Sequence, residues 1–532
     1  MTKSKNLLSL AVFGLVLLLS ISACKEEVVV VGGEFRISGV VFDLLTGEPL
    51  SGVSVATTGD VANTATTGDN GTYSIVGSPT GMISFTLGDY STMEMEINSA
   101  NLIDVELEST DDRKDAVFAA YFDEAGNTNG DPAFAAGSIK PTGSLGSPVS
   151  FSDGFCEVVS YKGAVDPNGT EWYDEWSFYD NLINGTTTSD ALSLGSLETW
   201  DDADMQAAGN NVIWTNDKTY ILDGFVFVND GQTLNIQAGT IIQGKPGEGA
   251  NASALIVARG GKIMAEGTAA QPIIFTYEGD NGGSAATLRG QWGGLIILGN
   301  ASLNSNPGET NIEGIPTTEA RGLYGGNDDN DNSGVLSYVS IRHGGTNIGS
   351  DNEINGLTLG GVGAGTTIDY VEVVANKDDG IEWFGGTARA KHLIVAFCAD
   401  DALDYDEGYR GKNQFVIVHQ DPTADAADRG GEHDGGTDPE DGTPFATPTF
   451  CNVTSIGNSG ERTITFRDNA GGFYVNSIFS GFGRGIDIEN LVGTKQDSYK
   501  QWVDGNLGLM GNVFHNIDAG TTGADLFKVT HN

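Results

Sequence analysis

Asp378-Asp379-Gly380-Ile381-Glu382-Trp383 and Asp400-Asp401-Ala402-Leu403-Asp404-Tyr405 repeat one pattern of acidic and apolar residues at an offset of 22. A repeat of about this length, with a short strand between tight corners, is typical of one coil of a parallel β-helix. Ile381 and Leu403 are then expected to stack inside the solenoid, and the acidic side chains to stack outside. The repeat therefore predicts that segments one coil apart lie side by side.

Short apolar segments of the same kind recur through the C-terminal part of the chain, and Gly, Asn and Asp fill the intervals between them. No long stretch has the periodicity of a helix. The Leu-x-x-Leu-x-Leu pattern of leucine-rich repeats is missing, and a β-propeller would need longer repeats. Residues 212–532 are therefore predicted to form a right-handed parallel β-helix.

The N-terminal residues 35–108 consist of short strand-like runs separated by turn residues, which predicts a small β-sandwich. Ile37-Ser38-Gly39-Val40-Val41-Phe42-Asp43, Thr46-Gly47-Glu48-Pro49-Leu50 and Thr67-Gly68-Asp69-Asn70-Gly71-Thr72-Tyr73 resemble the carboxypeptidase regulatory-like domain. That resemblance implies an immunoglobulin-like sandwich that acts as a spacer or docking module, without the zinc ligands of a carboxypeptidase. The predicted fold class is all-β, an Ig-like sandwich followed by a β-helix.

Residues 109–211 are predicted to be a linker and a cap for the β-helix. Trp172, Trp176 and Phe178 form an aromatic cluster in this segment. The cluster is expected to cover an open end of the solenoid, and the alternative is an aromatic platform for sugar rings.

A further resemblance covers most of residues 212–480. Thr233-Leu234-Asn235-Ile236-Gln237-Ala238-Gly239-Thr240, Gly290-Gln291-Trp292-Gly293-Gly294-Leu295 and Asn355-Gly356-Leu357-Thr358-Leu359-Gly360 resemble bacterial β-helix surface lipoproteins that have no settled function. The resemblance supports the fold and leaves the function open.

The first residues resemble a bacterial lipoprotein signal. Lys3 and Lys5 precede an apolar run at 7–19, and Ile21-Ser22-Ala23-Cys24 is a lipobox that predicts acylation of Cys24. Lys25-Glu26-Glu27 resembles the surface-export signal of Bacteroidota lipoproteins. We therefore expect a signal peptide at 1–23, a lipidated tether at 24–34 and a position on the outer membrane facing the medium.

Charge and cysteine content narrow the possible partners. The net charge is −45, so the phosphates of a nucleic acid would be repelled and divalent cations attracted. After Cys24, the chain contains Cys156, Cys398 and Cys451, so at least one thiol is unpaired. Cys398 follows an apolar run and is expected to be a small buried residue.

The strongest candidate site is the acidic ladder of the repeat. Carboxylates on adjacent coils, about 4.8 Å apart, repel one another unless a cation or a basic group lies between them or their pKa values rise. Calcium accepts six to eight oxygen ligands with loose geometry, so we expect Ca²⁺ here. The predicted ligands are Asp378, Asp379, Glu382, Asp400, Asp401, Asp404 and Asp406. The alternatives are a solvated edge paired with Arg410, Lys412 or Lys377, and a catalytic carboxylate pair.

Two other clusters are weaker candidates. Asp329 and Asp331 match the first half of a calcium loop, although no glutamate stands at the twelfth position, and a polar surface loop is the alternative. Glu432-His433-Asp434 lies in a long insertion and could carry protons or bind a ligand, unless His433 is only an exposed loop residue. Trp383 and Tyr405, beside the ladder, complete the set of expected ligand-binding residues.

An enzyme is the rival interpretation. A lyase would use Ca²⁺ to neutralise a uronate and Arg410 or Lys412 to take the proton, and a hydrolase would use Asp400 and Asp401 as acid and base. These residues resemble the polygalacturonase family, but its Gly-His-Gly element should precede Arg-x-Lys, and here Gly431-Glu432-His433 follows Arg410-Gly411-Lys412. Common nucleophile motifs and a P-loop are absent.

The sequence thus predicts a surface lipoprotein whose calcium-stabilised β-helix binds an extracellular ligand, expected to be a glycan. The alternatives are a polysaccharide lyase or hydrolase and a structural or adhesive surface protein. A TonB-dependent transporter is a possible partner.

Overall fold

The computed structural model describes residues 34–110, 113–184, 191–349, 352–422, 427–437, 439–491 and 496–531. The chain divides after residue 111 into two units. Strands hold 39 % of the residues and helices 8 %, which confirms the predicted all-β fold class. The predicted signal peptide, Cys24 and nearly all of the predicted tether lie outside the described residues.

The first unit is a small sandwich of two sheets. Its strands are β1 (Phe35–Asp43), β2 (Ser54–Thr57), β3 (Asn63–Thr66), β4 (Thr72–Gly77), β5 (Met82–Thr86), β6 (Met93–Glu96) and β7 (Val105–Leu107). One sheet has the order β4-β1-β7 and the other β3-β2-β5-β6. Every second residue from Ile37 to Asp43 in β1 is buried, and Ile37, Val55 and Phe85 meet in one apolar core.

The second unit contains the helices of the described residues, together with strands β8 to β37. The helices are α1 (Arg113–Glu124), α2 (Phe178–Asn184), α3 (Asp202–Ala207), α4 (Ser498–Val503) and α5 (Gly523–Leu526), with 3-10 turns at Gly249–Asn251 and Ala320–Gly322. The first strands are β8 (Ser196–Trp200), β9 (Asn211–Trp214), β10 (Lys218–Leu222), β11 (Phe225–Val228), β12 (Thr233–Ile236), β13 (Ile241–Gly244), β14 (Ala254–Val257), β15 (Lys262–Glu266), β16 (Ile273–Tyr277), β17 (Leu295–Leu298), β18 (Thr310–Asn311), β19 (Leu323–Tyr324), β20 (Gly334–Arg342), β21 (Asn347–Gly349) and β22 (Asn352–Glu353).

The remaining strands continue the same unit to its last described residue. They are β23 (Leu357–Gly360), β24 (Thr367–Val374), β25 (Ile381–Phe384), β26 (Arg389–Ala396), β27 (Leu403–Asp406), β28 (Lys412–His419), β29 (Glu432–Asp434), β30 (Thr449–Ile456), β31 (Arg462–Arg467), β32 (Gly472–Val475), β33 (Ile478–Ser480), β34 (Arg484–Asn490), β35 (Leu507–Met510), β36 (Val513–His515) and β37 (Phe527–His531).

Two long parallel sheets form the solenoid. Sheet A has 16 strands, with the path β8-β10-β13-β16-β20-β24-β26-β28-β30-β32-β35, and sheet B has the ten strands β11-β14-β17-β23-β25-β27-β29-β31-β34-β37. In sheet B, Ile381 lies beside Leu403 and Glu382 beside Asp404. The predicted stacking of successive coils in register is therefore confirmed, and both apolar residues are buried as expected.

The segment before the first coil lies along the solenoid. Helix α1 covers the last coils, where its Phe122 ring contacts Trp502 and Phe527. Residues 128–184, here called the strap, then run back along sheet A towards the earlier coils. Hydrogen bonds mark the route, from Val149 N to Asn476 Oδ1 at 2.8 Å and from Ala164 N to Thr454 Oγ1 at 2.8 Å.

The strap ends at α2 and is also held by a disulfide. Phe178 N donates to a carboxylate oxygen of the buried Glu372 at 2.8 Å. Cys156 of the strap is bonded to Cys451 of β30, and Cys398 is a buried free thiol. The segment predicted as linker and cap thus has three parts, because α1 covers the last coils, the strap covers a side of the solenoid, and β8 belongs to its first coil. No helix among the described residues is long and apolar enough to cross a membrane.

Candidate functional site: an acidic pocket

The candidate site is built on one outward-facing row of sheet B. Thr358, Glu382, Asp404 and Glu432 are register partners on β23, β25, β27 and β29, so their side chains follow one another along the solenoid. They point outward because the residues on either side of them in each strand pack inside. Three consecutive acids at strand spacing repel one another unless something compensates them.

Tight corners bring further acids to the same place. The Gly380 amide donates to the Asp401 carbonyl at 3.0 Å, and the Asp401 amide donates to Asp379 Oδ1 at 2.9 Å. A Cβ on Gly380 would lie 2.1 Å from Val395 Cγ1, so glycine lets the corner approach β26 this closely. The stacked corners therefore fix Asp379 beside the acidic row.

Together these groups line an open cavity of about 410 Å³, here called the acidic pocket. Its lining contains eight acids and two other polar residues: Glu313, Asp378, Asp379, Glu382, Asp400, Asp401, Asp404, Glu432, Asn355 and Lys377. Glu382 is only 6 % exposed and Asp401 only 2 %. The pocket therefore combines strong negative charge with little access of water to several of its carboxylates.

Two oxygen atoms of the pocket have neither a hydrogen-bond partner nor an ion-pair partner among the described residues. Asn355 is 2 % exposed, and its Nδ2 donates to Glu382, but its Oδ1 accepts nothing. Asp404 Oδ1 is likewise buried without a partner. Buried polar atoms of this kind call for an ion, a water molecule or a ligand.

Three groups of carboxylates lie close enough to share a cation, with ligand atoms within 4.8 Å of one another. The groups are Asp379, Glu382 and Asp404; Asp378, Asp379 and Asp400; and Asp400, Asp401 and Asp428. Arg429 already serves the third group, because its Nη1 lies 3.1 Å from Asp401 and 2.7 Å from Asp428. Only carboxylates form these groups, and oxygen ligands suit calcium or magnesium rather than zinc.

Burial raises the pKa of the pocket carboxyls. Loss of hydration is the largest cause for Asp379, and repulsion by Asp404 adds to it. Loss of hydration is also the largest cause for Glu382, where Asp379 adds the repulsion. Both pKa values therefore lie well above the usual range. The pKa of Asp404 is raised in the same way by burial and by Glu382. For Asp401, burial and Glu432 raise the pKa, and Arg429 partly opposes them. At neutral pH these groups therefore need protons or a cation.

The structure corrects the prediction that Trp383, Tyr405 and His433 bind a ligand. They are register partners on β25, β27 and β29 and are at most 1 % exposed. The rings of Tyr405 and His433 stack with centroids 4.2 Å apart, and burial lowers the pKa of His433 to about 3. Strand alternation places them inside because Glu382, Asp404 and Glu432 occupy the outward positions.

Asp406 and Asp434 are predicted site residues that lie outside the pocket lining. Asp406 accepts a hydrogen bond from Thr437 Oγ1 at 2.8 Å, and burial together with Glu407 raises its pKa to about 7. Asp434 forms an ion pair with Arg467 at 2.7 Å. Of the predicted insertion cluster, therefore, only Glu432 reaches the acidic pocket.

The structure does not support the predicted calcium loop. Arg410 Nη1 lies 3.0 Å from Asp329, which also accepts a hydrogen bond from the Ser302 amide at 3.1 Å. Asp331 accepts one from Asn300 Nδ2 at 3.0 Å. In the described parts of the chain, neither acid belongs to a group of three possible metal ligands.

The proposed lyase bases are also engaged elsewhere. Arg410 is held by Asp329, and Lys412 Nζ lies 2.9 Å from Asp153 in the strap. The basic residue in the pocket lining is Lys377, which is exposed. The alternative in which Arg410 or Lys412 pairs with the acidic ladder is therefore wrong.

The aromatic cluster of the strap packs against the solenoid. Trp176 is 4 % exposed and contacts Tyr338 and Tyr370 edge-on, and these two tyrosines stack on each other with centroids 4.4 Å apart. Because the faces of these rings pack against one another, little flat aromatic surface remains exposed for a sugar.

Sequence reasoning missed Glu313 and Asn355 of the pocket lining, and Arg429 beside it. Asn355 lies 24 residues before Asp379, close to one repeat length, so the repeat itself could have identified it. Arg429 lies in the segment between β28 and β29, and only the folded chain shows that it reaches Asp401.

The fold and the site define a parallel β-helix protein with an acidic surface pocket. Residues 206–532 match the family described as the pectate-lyase like beta helix domain, and the chain belongs to this family. A similar solved structure is the Dettilon tailspike protein, at 12 % identity and a TM-score of 0.22, over 62 % of this chain and 64 % of that one. The chain thus spans less than two thirds of that protein. A search of curated proteins found no match.

Proposed function

We propose that the protein is a cell-surface lipoprotein whose β-helix binds an extracellular polysaccharide at the acidic pocket, with calcium stabilising the pocket. The observation that carries this proposal is the convergence of eight acids on one open cavity of the solenoid surface. A long solenoid face suits a chain-like ligand.

In this proposal, calcium both neutralises the charge of the pocket and provides a binding position for the polysaccharide. The ion neutralises carboxylates that would otherwise repel, and its spare coordination positions can accept oxygens of a sugar. An acidic polysaccharide would be repelled by the bare pocket, so its binding should depend on the ion.

Native gel electrophoresis tests this function. The protein should be retarded in gels that contain polygalacturonate or alginate with calcium, and chelation should abolish the retardation. The polysaccharide should gain no reducing or unsaturated ends, because binding does not cleave it. The Lys245→Ala variant is the control and should be retarded normally, because Lys245 pairs with Asp223 and does not line the pocket. Equal mobility with and without calcium in every acidic polysaccharide would refute the proposal.

A polysaccharide lyase or hydrolase is the second candidate. The observation that favours it is the set of carboxyls with raised pKa beside Lys377, since a hydrolase needs a protonated acid and a lyase needs a base. A lyase would produce absorbance from unsaturated uronate that disappears in Lys377→Ala, and a hydrolase would produce reducing ends. A structural or adhesive protein would show neither product nor retardation.

The surface position is the other part of the proposal, and it depends on the lipobox at Cys24 and the acidic residues after it. Labelled fatty acid should be incorporated into the wild-type protein and not into Cys24→Ala, and protease added to intact cells should digest the protein. A TonB-dependent transporter partner would be expected to co-purify with it from solubilised membranes.

A further inference from the structure

We propose that the calcium ion of the acidic pocket is held by Asp379, Glu382, Asp404 and the amide oxygen of Asn355, and that it cross-links three successive coils. This inference rests on the proposed function, which places calcium in the pocket without assigning its ligands. It adds Asn355 as a ligand and leaves the outer acids for the polysaccharide.

The first argument is the spacing of the carboxylates. Ligand atoms of Asp379, Glu382 and Asp404 lie within 4.8 Å of one another, and Glu382 and Asp404 are adjacent register partners. None of the ion pairs among the described residues includes these three acids. In the part of the chain that the structure describes, no basic side chain therefore forms an ion pair with them.

The second, independent argument is Asn355. Its side chain is 2 % exposed, lines the pocket and donates through Nδ2 to Glu382. That hydrogen bond fixes the amide, and Oδ1 remains buried without a donor. A cation beside Glu382 would satisfy this oxygen, and amide oxygens are ordinary calcium ligands.

The other two carboxylate groups fit less well. Arg429 occupies the group of Asp400, Asp401 and Asp428. In the group of Asp378, Asp379 and Asp400, the side chain of Asp400 is exposed, so this group lies nearer to solvent. Asp378, Asp400 and Lys377 therefore remain at the mouth of the pocket, where a polysaccharide would arrive.

The proposed ligands come from three coils. Asn355 precedes β23, Asp379 and Glu382 belong to the coil of β25, and Asp404 lies in β27. An ion bound to all three would resist the separation of adjacent coils, and four protein ligands leave at least two of calcium's six to eight positions for water or sugar.

Thermal unfolding of the full chain with calcium and with chelator tests the ligand set. Calcium should raise the Tm of the wild type, because it binds the native state, and this rise should be lost in Asn355→Ala. Asn304→Ala is the matched control, since Asn304 is also buried with its Oδ1 unpartnered but does not line the pocket. The control should lower the Tm and keep the calcium-dependent rise.

A second variant covers the case in which Asn355→Ala does not fold. Asn355→Asp adds a charged oxygen, so calcium titration should give a Kd lower by about tenfold than that of the wild type. An unchanged Kd in Asn355→Asp, or a full calcium-dependent rise in Asn355→Ala, overturns this ligand set and leaves the proposed function standing. If the wild type binds no calcium, both proposals fail, whereas calcium binding without gel retardation refutes only the polysaccharide.

Discussion

In two adjacent regions of the same face of sheet B, the repulsion between stacked carboxylates is compensated in different ways. Around β29, Glu432 lies 2.7 Å from Arg429 and 3.0 Å from Arg467. Around β25 and β27, none of the ion pairs in the described chain includes Glu382 or Asp404. Arginine supplies a permanent counter-charge in the first region, here called the arginine region, whereas Glu382 and Asp404 in the second region depend on protons or a dissolved cation. In a solenoid that stacks acids in rows, one neighbouring basic side chain therefore decides whether the stability of a row depends on pH and cations.

The largest effect should come from removing Arg429. Arg429→Ala leaves the buried Asp401 without its counter-charge and leaves Glu432 with Arg467 alone, and loss of one partner of a buried pair costs about 3–5 kcal/mol. Because Arg429 is itself partly exposed, we expect the lower end, about 3 kcal/mol, in the free energy of unfolding measured with urea. The control Lys245→Ala removes an exposed pair with Asp223 and should cost less than about 1 kcal/mol. Equal losses in the two variants would show that the arginine region is not special.

Opposite signs are expected when acids are neutralised in the two regions. Without divalent cations, the double variant Glu382→Gln and Asp404→Asn removes repulsion and should raise the free energy of unfolding by about 1–2 kcal/mol. Asp434→Asn removes one of the two acids that pair with Arg467 and should lower it by about 1 kcal/mol. Calcium should stabilise the wild type and not the double variant. If the double variant is less stable without calcium, the pocket carboxylates do not repel in the native state.

The acidic pocket should also make stability depend on pH. In the folded protein the pKa values of Asp379, Glu382 and Asp404 are raised above their unfolded values near 4, so the native state binds more protons. Stability in chelator should therefore fall as pH rises from about 4 through neutrality. Burial lowers the pKa of His419 to about 4, so this residue makes stability rise with pH between about pH 4 and 6.5, opposite to the acids.

The contribution of Glu382 and Asp404 is the difference in the free energy of unfolding between the double variant Glu382→Gln and Asp404→Asn and the wild type. Measured by urea unfolding in chelator at pH 5 and 7.5, the advantage of the double variant over the wild type should be larger at pH 7.5 and should shrink when calcium is added. A difference that is flat over this range would contradict the raised pKa values.

The smallest effect on stability should come from Lys377. Its side chain is exposed at the pocket, so Lys377→Ala should change the free energy of unfolding by less than about 0.5 kcal/mol. Polysaccharide retardation should nevertheless weaken several-fold, because a positive charge at the mouth is lost. Unchanged retardation would place the ligand away from this side of the pocket.

The repeat at 22 residues predicted the most important contacts of the fold. Because strands of successive coils pair in parallel, the offset alone places Ile381 beside Leu403 and Glu382 beside Asp404. The error over Trp383 and Tyr405 arose from treating aromatic residues next to acids as surface residues. Applying strict alternation from Ile381 would have placed both rings inside.

What the sequence determined by itself is the period, the all-β class and the adjacency of the two acidic segments, because these depend on local patterns repeated at a constant spacing. Only the tertiary structure decided which charges meet across long separations. Lys412 pairs with Asp153 of the strap, and Cys156 bonds to Cys451 over 295 residues. Such contacts join segments that share no repeat, so no periodicity records them, and their partners are selected by packing on the finished solenoid.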